Sequence, residues 1–493
     1  MAAALLARAG RSVTVLERLP SVGGAAVSAC PFPGVEARLS RYAYLVSLLP
    51  ATIVKALGLR VTLRPRAIAS YTPQGVGGLL VTADRRTTRE SMARLTGDRP
   101  AYRAWERFQA MLAVVAQRVF PTLTEPLLGR EQIRKLIGDE YAWRYLFNEP
   151  LGSALERVFA SDLIRGLVCT DAAIGTFAPP DDPLLRQNRC FLYHVIGGGT
   201  GRWDVPVGGM GVLSDELELA ATRAGAQIHT RREVVALESD GRLAEVTCAD
   251  GERFQASHVL ANVSPTVLAR LRGAVAAERP EGSQLKVNML VSRLPRLRDA
   301  RVSPEQAFAG TFHVNEGFDQ LKRAYTEAAQ GQLPSQPPCE LYCHSLTDPS
   351  ILAPGLRKAG AQTLTLFGLH MPARLFAGET AQRKRAALAA TIRSVDSVLA
   401  EPLEECLWHT PDGEPCLEAL VPQEIERELA MPGGHIFHRD LAWPFAETED
   451  EVGRWGVETR DANVWLCGAG ARRGGGVSGI PGYNAAQAVL AAG

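Results

Sequence analysis

At 493 residues the chain is long for one compact core, and its length predicts two or three lobes of roughly 100 to 200 residues each. Hydrophobic residues make up 46%, enough for a large buried interior, and 54 basic against 53 acidic residues leave a formal charge of +1. That balance gives no general attraction to nucleic acid and excludes it as a partner class.

The chain opens on MAAALLARAGRSVTVLE, which reads as a helix, a glycine turn and an apolar strand ending on Glu17. This start has no basic leader and meets Arg8 early, so a cytoplasmic protein is expected rather than a secreted one. In dinucleotide folds a carboxylate at such a strand tip accepts hydrogen bonds from ribose hydroxyls, roughly 20 residues beyond a glycine fingerprint. Counting back puts that fingerprint and its strand upstream of Met1. The pattern predicts in-frame upstream codons for both; natural loss of the loop is the alternative. Gly23 and Gly24, in LERLPSVGGAAV, follow the acid closely and would let backbone amides approach a pyrophosphate.

The greasy stretch over 42–59 is interrupted by Pro50 and Lys55, short of the roughly 20 apolar residues a spanning helix needs. It reads as buried core or as the wall of a tunnel for an apolar substrate, with peripheral membrane contact left open. From Arg86 to Leu167, Leu, Ala, Phe and Trp recur at helical spacing and predict an all-helical cap. APPDDPLL and VIGGGTGRWDVPVGGMG then mark a crossing between lobes. Residues 211–263 spell a helix, a strand, a three-stranded meander and a returning buried strand. KVNMLVS and TLTLFGLH predict a second sheet within 285–370, and a helical pattern over 382–399 leads back to the first lobe.

Nine cysteines, an odd number without framework spacing, predict reduced thiols, and Cys190 and Cys467 read as small buried side chains. Neither Cys339, Cys343 and His344 nor Cys406, His409 and Cys416 repeats a zinc spacing, so no metal is expected. His194, in FLYHVIGGG, and His438, in GGHIFHRDL, lie beside the lobe crossings. Each is read either as a proton acceptor or as a hydrogen-bonded structural histidine.

The C-terminal segment reads NVWLCGAGARRGGGVSGIPGYNAAQAV. Gly474, Gly476 and Gly479 spell a G-x-G-x-x-G that is a decoy, because the VWLC strand ends seven residues before it. What the segment supplies is a strand, a glycine loop and a helix start near Pro481, where free amides favour a pyrophosphate and the electron-rich edge of a reduced flavin.

LARAGRSVTVLERLPSVGGAAV, RWDVPVGGMGVLSDELELAA, REVVALESDGRLAEVTCADGERFQASHVLANVSP, DPSILAPG and LCGAGARRGGGVSGIPGYNAA follow one another along essentially the whole chain. Together they resemble the phytoene desaturase and carotenoid isomerase branch of the FAD-dependent amine-oxidase-like flavoproteins, and most closely its phytoene-dehydrogenase-related oxidoreductases. The resemblance implies an α/β fold, with a Rossmann-like FAD-binding domain lacking its first strand and glycine loop, and a sheet-plus-helical-cap substrate domain. The FAD domain is placed at 1–70, 201–265 and 446–493, and the cap and substrate domain at 71–200 and 266–445. It further implies that Glu17 holds the ribose, with Arg18, Gly23, Gly24 and Ala25 beside the cofactor and the Val234 backbone on the adenine. Gly468, Gly470, Ser478, Gly479, Ile480 and Pro481 would surround the flavin and its pyrophosphate.

The function so implied is dehydrogenation or isomerisation of a hydrophobic, polyene or carotenoid-like substrate by hydride transfer to flavin, with oxygen or a quinone reoxidising it. A flavin amine oxidase is the first alternative; it requires an aromatic cage, and no aromatic residue announces itself near the C-terminal motif. A cofactor-free binding protein on the same fold is the second.

Overall fold

The computed structural model describes residues 1–97, 99–277 and 279–492. The first helix, Ala2–Arg8, buries Ala2, Ala4 and Leu6, and these small side chains let it pack closely on the C-terminal helix Ile480–Ala492 and on the helix Gly211–Arg223. The strand Thr14–Glu17 then pairs in parallel with Gln227–Thr230, with Val15 opposite Ile228. A second parallel pair joins Val259–Ala261 to Val464–Leu466. Among the described residues no hydrogen-bonded ladder links the two pairs, and residues of both line the same cavity.

The meander is present as Val234–Ser239, Ala244–Cys248 and Arg253–Ala256, all antiparallel. Its first turn is fixed by the Asp240 carboxylate, which accepts from the amides of Arg242 and Leu243 at 2.8 Å each. The boundary at 265 falls at the start of the helix Pro265–Leu271, which packs on the meander strand Val234–Ser239. The boundary at 70 falls inside the strand Ile68–Gln74.

That strand belongs to a seven-stranded sheet, ordered Leu417–Leu420, Leu285–Val291, Gln362–Gly368, Cys339–Tyr342, Thr311–Val314, Ile68–Gln74, Gly77–Thr82. All neighbours are antiparallel except Thr311–Val314 with Ile68–Gln74. Leu285–Val291 is buried at every position because both of its faces are covered. A helical cap stands over the sheet, including Arg85–Thr96, Arg99–Val119, Asp162–Cys169 and Arg186–Ile196. Its core gathers Phe108, Val115, Phe147, Leu155 and Phe191. No helix among the described residues is long and apolar enough to cross a membrane. In the 42–59 stretch, Val46, Leu49, Ile53 and Leu57 enter the core while Tyr44 and Leu45 line the cavity.

The cap helix Asp162–Cys169 packs against the helix Phe318–Ala329 that follows the strand Thr311–Val314, with backbone close to backbone at one point. A methyl group on Gly166, in the helix Asp162–Cys169, would overlap the Glu316 carbonyl oxygen. Asp162 Oδ1 accepts from the Asp319 amide at 2.9 Å, and Lys322 Nζ reaches Glu156 at 2.8 Å. Gly166→Ala is therefore expected to cost about 1–3 kcal/mol through overpacking. Thermal unfolding checks this: a lowered midpoint is expected, and an unchanged one would show that the seam tolerates a side chain.

Candidate cofactor and substrate site

A cavity of about 1660 Å³ runs from the split parallel strands to the space between cap and sheet. At one end, beside the split strands, lie Glu17, Arg18, Gly23, Gly24, Ala25 and Val234, and from the C-terminal segment Gly468, Ser478, Gly479 and Pro481. Gly470 and Ile480 do not line it. Gly470 abuts the start of the helix Pro265–Leu271, where a Cβ would stand 2.6 Å from Pro265, and Ile480 is wholly buried in the core. The Glu17 carboxylate accepts from the Leu19 amide at 2.8 Å, which orients it at the strand tip. Gly23 and Gly24 have φ of +116° and +54°, conformations that side chains disfavour. A Cβ on Gly23 would meet Val27 Cγ1 at 2.9 Å, so this loop presents bare backbone to the cavity.

The chamber side is walled by Trp105, Leu112, Leu167, Val168 and Phe191 from the cap, and by Phe367 from the sheet. Where chamber and C-terminal glycine loop meet, a Cβ on Gly475 would lie 2.9 Å from the Tyr193 ring and 3.3 Å from Phe437. Tyr193 and Phe437 have ring centroids 4.9 Å apart, with Trp203 at 6.0 Å from Tyr193. Aromatic side chains therefore do stand beside the C-terminal motif, contrary to the sequence reading. Tyr193 and Trp203 come from more than 250 positions upstream and Phe437 from outside the motif, so inspection of the motif alone could not find them.

His194 and His438 both line the cavity. Burial lowers each to about 4, with His435 adding to the effect on His438, so both are neutral at neutral pH. His194 Nδ1–H donates to the Cys190 carbonyl at 2.8 Å and its ring stacks on Trp203 at 5.3 Å, a geometry that fixes it as part of the wall. His438 Nδ1 is buried without a hydrogen-bond partner. Burial also raises the thiols of Cys190 and Cys467, which disfavours thiolate chemistry at either.

Sequence reasoning missed the polar floor of the chamber, formed by Lys286, His313 and Glu340 on the sheet and Asp171 below the cap. Lys286 is 2% exposed, and its Nζ has no hydrogen-bond partner and lies 4.2 Å from the Tyr44 ring centroid. Burial drives its ammonium well below the usual lysine range, with Glu418 opposing weakly. Burial raises Glu340 to about 8, helped by Glu316, and raises Asp171 to about 6 against His313 and Arg66. A signal was available: CELY and TFHV are strands buried at every position, yet each carries an ionisable residue.

Residues 83–323 match the family described as flavin containing amine oxidoreductase. An uncharacterised protein of Mycobacterium tuberculosis is 50% identical over 508 residues, covering 100% of this chain and 95% of its own length. The match to the flavin-containing amine oxidoreductase family thus covers just under half of the chain, and the mycobacterial relative extends over all of it. A mouse protein named pyridine nucleotide-disulfide oxidoreductase domain-containing protein 2 is 29% identical, covering 99% of this chain and 91% of its own. In fold, the chain is similar to an oxidoreductase from Methanosarcina mazei, with a TM-score of 0.54 at 15% identity over 99% of this chain and 96% of the other. A putrescine oxidase redesigned in its cofactor binding gives a TM-score of 0.56 at 16% identity over 100% and 96%.

FAD is the cofactor that the flavin-family match implies, and the loop at Gly23 and Gly24 lines the same cavity as the oriented carboxylate of Glu17. Glu17→Ala is expected to weaken FAD retention through loss of charged hydrogen bonds, at most about 1.5–3 kcal/mol each. The FAD dissociation constant is the measurement; an unchanged value would return Glu17 to an ordinary loop-capping role.

Proposed function

We propose that this FAD-dependent oxidoreductase dehydrogenates a substrate with a largely apolar body, held in the chamber between helical cap and sheet. The observation carrying this reading is the continuity of one cavity from the bare glycine loops to walls of Trp105, Leu112, Leu167, Val168 and Phe191. Bound FAD supplies the hydride acceptor. Glu17 and the amides at Gly23 and Gly24 would hold the adenosine and pyrophosphate, and Tyr193 and Phe437 would shield the flavin end of the chamber from water. Hydride loss from one carbon leaves a proton to be taken from its neighbour. Lys286 suits that step, because burial lowers its ammonium well below the usual lysine range and its Nζ has no hydrogen-bond partner.

A second reading, oxidation of an amine, is favoured by the aromatic group at Gly475 and by the Asp171 and Glu340 carboxyls in the chamber, which could face an ammonium. Anaerobic mixing of the holoenzyme with two panels separates the readings: apolar alkenes and cyclic hydrocarbons without basic nitrogen, and primary amines. Bleaching of the flavin absorbance by the first panel is expected, whereas bleaching by amines alone would favour the second reading.

With an apolar substrate, protonation of Lys286 at low pH removes the acceptor, so reduction should quicken as pH rises through its lowered pKa. Lys286→Met should slow flavin reduction by about 10²- to 10⁴-fold and flatten that limb while FAD content stays at one per chain. An unaltered pH profile in the variant would remove Lys286 from proton transfer.

A further inference from the structure

Behind the chamber floor lies a cluster that the proposed dehydrogenation does not use. His313 and Glu316 flank the end of the strand Thr311–Val314, and Glu340 sits on its neighbour Cys339–Tyr342, with His313 directly opposite Glu340 in the register. One donor atom from each of the three lies within 4.8 Å of the others, and all three side chains are buried. His313 Nδ1 is 2.5 Å from Glu316 Oε2 and 3.7 Å from Glu340 Oε1. Glu316 Oε1, on a carboxyl with no exposed surface, has no partner in hydrogen-bonding geometry, and the Thr170 hydroxyl is the donor near this carboxyl. Both Glu340 oxygens accept from hydroxyls, Oε1 from Thr170 at 3.2 Å and Oε2 from Tyr342. Asp171, whose carboxylate is one of the charges acting on this group, opens on the chamber beside His313 and Glu340.

Among the described residues, none of the three carboxyls of Asp171, Glu316 and Glu340 forms an ion pair with a lysine or arginine. The nearby Arg66 guanidinium is engaged elsewhere, donating to Thr311 Oγ1 at 2.8 Å and to the Trp203 carbonyl at 3.2 Å. Buried carboxyls in such number require protons or a cation. We propose that His313, Glu316 and Glu340 form a binding site for one divalent transition-metal ion, open toward the chamber.

The donor set supports this. One imidazole with two carboxylates suits zinc, manganese or ferrous iron over calcium or magnesium, which prefer oxygen alone. Two donors on one such ion stand at most about 4.2 Å apart, twice a bond of roughly 2.1 Å, so the cluster needs only a small contraction of its widest separation. The His313–Glu316 contact must widen slightly at the same time to admit the ion between its atoms. Hydroxyl donors from Thr170 and Tyr342 would orient Glu340 as outer-shell partners. Because His313, Glu340 and Asp171 reach the cavity wall, an ion there would have an entry path and a coordination position facing the chamber.

The site is tested on untagged full-length protein, stripped with a chelator and titrated calorimetrically with zinc and manganese ions. Bound metal is counted by elemental analysis after desalting, and the cobalt(II) form supplies a visible spectrum that reports ligand geometry. One ion per chain is expected, with a d–d spectrum, and with affinity falling about 100-fold or more in His313→Ala and in the isosteric Glu340→Gln. Circular dichroism confirms that each variant is folded; if His313→Ala is not, Glu340→Gln and Glu316→Gln carry the comparison. Absence of stoichiometric binding to the wild type, or equal binding by folded variants, overturns the proposal and leaves the carboxyls neutralised by protons. The outcome is independent of whether the substrate is apolar or an amine, since neither FAD reduction nor turnover is read.

Discussion

The helical cap is held against the segment after the strand Thr311–Val314 at a seam where one glycine lets backbone touch backbone. Gly166 sits on the Glu316 carbonyl, and Asp162 reaches across to the amide at Asp319. A side chain at Gly166 would push the cap away from the floor and change the height of the chamber along its length. The same seam fixes Glu316, and through it His313, so the polar floor is positioned by the contact that closes the roof. Packing at native density transmits such displacements over several residues instead of absorbing them locally.

Two different economies operate on the two sides of the cavity. The end at Glu17 and Gly23 presents backbone and glycine, a lining suited to a phosphate, which is best met by amides that no Cβ obstructs. The chamber side presents aliphatic and aromatic surface with a few ionisable groups buried beneath it. Those groups depart from their ordinary protonation because water is scarce around them, the carboxyls of Asp171 and Glu340 rising and the amine of Lys286 falling. Perturbed groups of this kind concentrate where chemistry or ligand binding needs them. His194 and His438 are perturbed as well; His194 is committed to the Cys190 carbonyl and the Trp203 face, whereas His438 Nδ1 is buried without a partner.

Much of the end at Glu17 and Gly23 was legible in the sequence, because its parts are local. Glu17 ends an apolar strand, Gly23 and Gly24 follow within one loop, and the meander announces itself through alternating strands and Asp-Gly turns. The cap was legible for the same reason, its helices being long and periodic. The hairpin Ile68–Thr82 was overlooked because its strands carry little alternation, and it completes a sheet whose other members begin at Leu285. Asp171, His313 and Glu340 were illegible as a group. No spacing links residues on a cap connection and on two strands; only strand register and the seam bring them together. The aromatic group at Gly475 was hidden likewise, being assembled from Tyr193 and Phe437 across the fold.

The central claim is that cofactor site and substrate chamber are one continuous space whose junction is the Gly475 loop. A crystal structure of the full chain grown with FAD tests it most directly. The account requires adenosine density beside Glu17, and the isoalloxazine ring at the junction bordered by Tyr193 and Phe437, with one face open to the chamber above Lys286. Density for the ring outside the cavity, or a chamber walled off from it by protein, would contradict the account.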